Sequence, residues 1–159
     1  MPSRSSQSGV TLVEVIVGIG IITMSLVTIG LSVNSYVDAR AALLNNVKAT
    51  YLAEEGYEII RALRDDDWDA FAALAVDTTQ YLSVTPVTIA FSATPEIIDT
   101  NFTRSFILHD VYRNGSDDIV ASTTAGSTGD DGAREVAVSV VSGNGTTTFR
   151  AILTNLFAQ

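Results

Sequence analysis

The chain has 159 residues, of which 9 are basic and 18 acidic, with one histidine, no cysteine and a net charge of −9 at pH 7. That length allows one folded domain plus an anchor. The charge excludes an electrostatic nucleic-acid binder, which needs a basic face, and the missing cysteines exclude disulfides and thiolate metal sites.

Residues 1–9 are polar, with Ser3, Ser5, Ser6, Ser8 and a single charge, Arg4. They have no apolar centre of their own and read as a leader that Arg4 keeps on the cytoplasmic side. From Val15 to Val37 no residue is charged. A run of roughly 20 apolar residues is long enough to cross a bilayer as a helix. Glu14 stands at the front edge of that run. A carboxylate in hydrocarbon costs about 2.5 kcal/mol at mid-helix, less near an end, and needs a partner or a function. Gly18, Gly20, Ser25 and Gly30 are small residues inside the run. Small residues let neighbouring membrane helices approach closely, although glycine is also simply more frequent in membrane helices. A secretory signal peptide has a shorter apolar centre and a small-residue cleavage site; this run is longer and has a carboxylate within it. An unprocessed signal anchor is the remaining alternative.

The order Gly9-Val10-Thr11-Leu12-Val13-Glu14, followed by the apolar run, resembles the processing site of type IV pilins and pseudopilins. The resemblance implies that a prepilin peptidase cuts between Gly9 and Val10 and methylates the new amino terminus on Val10. Glu14 then becomes the fifth residue of the mature chain and its assembly residue. The family usually has Phe at the first mature position, where this chain has Val10. Many major pilins carry a helix-kinking proline in the region that here holds Gly30-Leu31. Loss of Arg4 with the leader takes the 9 basic residues to 8 against 18 acidic ones, a net charge of −10. The implied domains are a leader (1–9), a transmembrane and filament-core helix (10–37) and a globular pilin-like domain (38–159). The implied partners are other copies or other pilins, the prepilin peptidase, an inner-membrane assembly platform and, before assembly, membrane lipid. The implied location is the cytoplasmic membrane first and an extracellular filament later.

Beyond the anchor, Asp38 to Asp66 continues as a helix that becomes amphipathic. Leu44, Val47, Tyr51 or Leu52, Ile59 and Leu63 recur at helical spacing and predict the buried stripe. Lys48, Glu54, Glu58 and Arg61 offer weak ion pairs. Gly56 interrupts good helix formers at about 1 kcal/mol against Ala, and suits a close backbone approach. With the anchor this makes one helix of about 55 residues. Asp65-Asp66-Asp67-Trp68-Asp69 marks a break, because acids oppose the dipole at a helix C-terminus; Trp68 is expected to cover the core edge. Arg61 to Trp68 also resembles a segment of pilin-like minor subunits.

Tyr81 to Phe91 reads as a strand, with Val87, Ile89 and Phe91 alternating and Pro86 at an edge or a strand start. Phe102 to Tyr112 is a second strand, with Phe102, Phe106 and Leu108 on one face, closed by the turn signal Asn114-Gly115. Ile119 to Gly132 reads as a loop. Arg134 to Val141 puts Val136, Val138 and Val140 inward, and Gly143-Asn144-Gly145 turns the chain into a last strand, Thr146 to Leu153. The expected fold is α+β: a long N-terminal helix packed on an antiparallel sheet of about four strands. That order also resembles the pilin build.

Catalytic patterns are missing: there is no P-loop, no G-x-G-x-x-G and no H-E-x-x-H. His109, the single histidine, falls on the strand face opposite Phe106 and Leu108 and reads as a surface histidine. No enzyme is expected. The one candidate for a metal is calcium, which takes six to eight oxygen ligands, on Asp117, Asp118, Asp130 and Asp131. The same acids beside glycines also make plain turns. Asn101, Asn114 and Asn144 each begin an N-glycosylation pattern that equally marks turns. A filament subunit is therefore the expectation. A single-pass membrane-anchored binding module, with or without calcium, and a pseudopilin of a type II secretion system are the alternatives.

Overall fold

The computed structural model describes residues 11–156. The chain divides into two units, one ending at Leu43 and the next starting at Leu44. Helix α1 (Leu12–Asp66, 55 residues) contributes to both.

In the first unit none of the described residues covers the helix. Its large apolar side chains from Leu12 to Val37 are 48–79 % exposed. By length and composition this is a helix able to cross a membrane. The hydroxyls in the apolar run do not look outward for partners. Thr23, Ser25, Thr28 and Ser32 each donate to the carbonyl four residues back, at 2.8–2.9 Å. Every hydroxyl between Val15 and Val33 is thus satisfied by its own helix, which is the condition for placing it in hydrocarbon.

In the second unit α1 buries Ala49, Leu52, Ala53, Gly56, Ile60 and Arg64. The expected stripe is corrected here. Leu44, Val47 and Tyr51 are exposed, Leu52 is buried as expected, and Ile59 and Leu63 pack only at the margin of the core. Bulky apolar spacing pointed one position away from the true contact face. The face that packs is lined with Ala and Gly because the sheet lies close. A Cβ added to Gly56 would sit 2.8 Å from Arg104 Cδ and 3.0 Å from Val138 Cγ1. The close approach expected at Gly56 is therefore present. Lys48 pairs with Asp99 rather than with a glutamate of its own helix, while Arg61 and Glu58 meet at 3.5 Å.

Asp67 breaks the helix as the acid run suggested. Its extended backbone (φ −149°, ψ 98°) ends α1, and its carboxylate accepts from Ala70 N at 2.9 Å to start α2 (Trp68–Ala72). Trp68 covers the core edge, its ring 5.5 Å from that of Phe71. A chain of rings continues from Phe71 to Phe91 and on to Phe106.

Seven strands follow among the described residues, where about four were expected: β1 (Tyr81–Val84), β2 (Ile89–Ser92), β3 (Glu96–Ile98), β4 (Phe102–Arg113), β5 (Ile119–Val120), β6 (Thr128–Ser142) and β7 (Gly145–Thr154). All pairings are antiparallel. The five-stranded sheet runs β3-β4-β6-β7, with β5 beside β4, and β1-β2 form a separate hairpin. The single strand expected over Tyr81 to Phe91 is that hairpin. Thr85 to Thr88 form its turn, with Thr85 Oγ1 accepting from Thr88 N at 3.0 Å. Val87 is consequently in the turn and 93 % exposed rather than in a strand, and Pro86 sits in the turn, where its fixed φ is useful.

The expected Ile119 to Gly132 loop is corrected too. Ile119 and Val120 pair with Arg113 and Tyr112, and β6 already begins at Thr128. Backbone pairing with β4 overrides the weak strand preference of Gly and Asp there. The register jumps from Asp110↔Arg134 to Val111↔Asp130, a bulge on the β6 side. Phe102, Phe106 and Leu108 on β4 and Val136, Val138 and Val140 on β6 all face inward and are at most 4 % exposed. The Gly143-Asn144 turn links β6 to β7, and Gly145 takes φ 137°, a conformation that favours glycine.

Candidate functional site

Gly9 and Val10, the expected processing and methylation residues, lie outside the described residues. Glu14 lies in the first turn of α1, exposed. Its backbone N–H donates to the Thr11 carbonyl at 3.0 Å and contacts Thr11 Oγ1 at 3.4 Å. Thr11-Leu12-Val13-Glu14 is thus a capping-box arrangement, Thr at the N-cap and Glu three residues on. A carboxylate there also meets the positive end of the helix dipole. The T-x-x-E spacing was a readable signal for this role. The bonds shown are made by the Glu14 backbone, so the carboxylate itself stays exposed at the rim of the apolar segment.

The four acids considered for calcium are held in a different way. Asp130 accepts from Arg113 Nε at 2.6 Å and from Gly132 N at 2.9 Å. Asp117 offers Arg113 its carbonyl at 2.9 Å and its carboxylate at 3.5 Å. Asp118 is tied to the Asn114 side chain, whose oxygen accepts from Ser116 N and Asp118 N. Asp131 is exposed on the bulge. The Arg113 guanidinium is shared by Asp130 and Asp117, and Asp118 and Asp131 are not among its partners. Among the described residues no group of three or more carboxylate or imidazole side chains is gathered to hold a metal ion. The hydrogen bond from Arg113 holds the Asp130 carboxyl below its ordinary value, and the same bond raises the Arg113 guanidinium.

His109 is half-exposed on the outer face of β4, as its position implied. Its Nδ1 lies 2.6 Å from Asp77 Oδ1. Asp77 belongs to a connecting segment with φ 53° and is anchored by its N–H to the Leu108 carbonyl. Together they edge a cleft of about 400 Å³ lined also by Tyr112, Ser122, Glu135 and Ile152. Glu135 is engaged by Arg150 at 3.2 Å.

The residue that sequence reasoning passed over is Arg104. It sits between Phe102 and Phe106 on the inward face of β4 and is 2 % exposed. Its Nε and Nη2 donate to the two oxygens of Glu96, both at 2.7 Å, and its Nη1 donates to the Leu52 carbonyl at 3.1 Å. Glu55 adds a carboxylate at 3.7 Å. This bidentate pair, with a third bond to the helix backbone, satisfies a charge that burial would otherwise penalise by several kcal/mol. It locks the second half of α1 to the sheet, and only a residue without Cβ at position 56 leaves room for its arm. Strict alternation along β4 already put Arg104 on the buried face, so the signal was available. Comparison with protein families, with curated proteins and with solved structures found no match to this chain.

Proposed function

We propose that this chain is the structural subunit of a type IV pilus-like filament. A prepilin peptidase cuts it between Gly9 and Val10 and methylates Val10. Residues 10–37 hold it in the cytoplasmic membrane until an inner-membrane assembly platform moves it into an extracellular filament. The observation that carries this reading is the first half of α1. It is exposed all round, the hydroxyls of its apolar run are turned onto its own backbone, and Glu14 stands at the entry to that run.

The chemistry follows from charge in hydrocarbon. Cleavage creates an ammonium on Val10, and Glu14 is a carboxylate four positions on. Each is costly alone, and each gains a partner when Glu14 of one subunit meets the Val10 amine of the next. Such a contact is head-to-tail and does not close on itself, so it propagates as a helix of subunits. The acidic second unit stays in water.

The test separates pairing from capping. Glu14→Gln keeps a side chain able to cap the helix and removes the charge. It is expected to insert in the membrane like the parent and to be missing from sheared surface filaments. Mass spectrometry of the parent in those filaments should find N-methylated Val10 as first residue. An intact Met1 on a monomeric membrane protein would overturn the reading in favour of a single-pass module.

A further inference from the structure

Eight basic residues fall among the described positions, and seven of them have a carboxylate within 4.0 Å: Lys48, Arg61, Arg64, Arg104, Arg113, Arg134 and Arg150. The exception is Arg40. It is exposed in the first unit, on the half of α1 where none of the described residues is buried. In the second unit, a groove of about 460 Å³ runs along the solvent side of α1, between Tyr51, Glu54, Glu55, Tyr57, Glu58 and Phe149. Positions 51, 54 or 55 and 58 recur at helical spacing and form one stripe. Glu54 is exposed and has no cationic partner among the described residues, Glu58 has only the 3.5 Å contact with Arg61, and Tyr51 is 68 % exposed. The groove thus offers carboxylates beside aromatic rings, the surroundings that suit a guanidinium, which pairs with one and stacks on the other.

We infer that this groove is an interface for a second copy of the chain, and that its occupant is the Arg40 guanidinium of that copy. Charge complementarity selects the occupant: in a chain with twice as many acids as bases, Arg40 is the one described cation left to give. The inference rests on the filament reading and extends it. The terminal pair at Val10 and Glu14 lies within the apolar segment, whereas the Arg40 contact lies in water, where opposite charges fix orientation and register more than they add affinity.

The chain has no cysteine, so introduced thiols report without background. In Arg40→Cys/Glu54→Cys filaments, mild oxidation is expected to give a ladder of disulfide-linked copies, and each single-cysteine variant is expected to give none. Arg40→Glu and Glu54→Arg are each expected to lower filament incorporation by about five- to tenfold, and the two together to restore it to within about threefold of the parent. All three variants should retain membrane insertion and the processed Val10 terminus, since both positions are exposed. Parent-level assembly of Arg40→Glu, lack of rescue in the double variant, or absence of the ladder overturns the contact. If Glu14→Gln still fails to assemble in that case, the filament reading stands without it. If the parent itself never enters filaments, both fall.

Discussion

The two halves of α1 are one helix by backbone and two different objects by side chain. From Thr11 to Leu43 no residue is buried, and large apolar groups point outward all round. From Leu44 to Asp66 the buried face is lined mostly by small residues, Ala49, Ala53 and Gly56, with Leu52 and Ile60 filling between them and Arg64 at the end. The contrast teaches that bulk and burial are separate signals. The Leu, Ile and Val side chains of the first half face surroundings that the described residues do not supply. Where it does supply a partner, the helix gives up volume so that a sheet carrying Val138 and Arg104 can come close.

The sharpest way to break that contrast is to delete the same side chain in each half. Ile60 is fully buried and Ile22 is 61 % exposed. Ile60→Ala should destabilise the second unit by about 3 kcal/mol through lost burial and a residual cavity. Ile22→Ala should leave that stability unchanged. Urea unfolding of the detergent-solubilised chain, followed by the fluorescence of Trp68, the sole tryptophan, measures both. Equal effects would mean that the two halves are not separate environments.

Glycine gives a second, smaller comparison with opposite signs. At Gly56 a methyl group would meet Arg104 and Val138 at 3.0 Å or less, whereas at Gly20 nothing lies within 4 Å. Gly56→Ala should cost about 1–3 kcal/mol, because Arg104 is pinned by Glu96 and cannot swing away. Gly20→Ala should leave the second unit untouched and raise helix content slightly, a gain of about 1 kcal/mol in helix preference. Circular dichroism together with the urea midpoint distinguishes the two outcomes.

The smallest expected effect concerns pH, and only the second unit should show it. Asp130 has its folded-state value depressed by Arg113. The folded state therefore binds its proton less readily than the unfolded chain does. The contribution is present above the ordinary carboxylate value of 3.8 and is lost as pH falls through the depressed value. Asp130→Asn should lower Tm slightly near neutral pH and flatten its fall between about pH 5 and pH 3. A variant that loses Tm in parallel with the parent across that range would show that the pair contributes nothing.

Much of the second unit was legible because its strands alternate. Phe102, Phe106 and Leu108 and the valines of β6 were readable as one buried face, since neighbouring side chains on a strand point to opposite sides. The Asn114-Gly115 and Gly143-Asn144 turns were readable from their own chemistry. The β1-β2 hairpin was not, because Thr85-Pro86-Val87-Thr88 lacks the Asn-Gly type of signal. The acids near the bulge were read as a loop because composition cannot report that β4 pairs with Thr128 to Asp130. Nor can it report that Arg113 pairs with Asp130 across the two strands.

Sequence by itself determined the long helix, the change of character along it, and the placing of a lone carboxylate at the start of an apolar run. These depend on neighbours within a few residues and on the cost of charge in hydrocarbon. Only the tertiary structure decided which face of the second half is buried, that Arg104 is enclosed with Glu96 against the Leu52 carbonyl, and that Arg40 has no carboxylate partner among the described residues. Those outcomes depend on which distant backbones approach one another. Lys48, Arg104 and Arg113 take partners chosen by that approach and not by position in the chain.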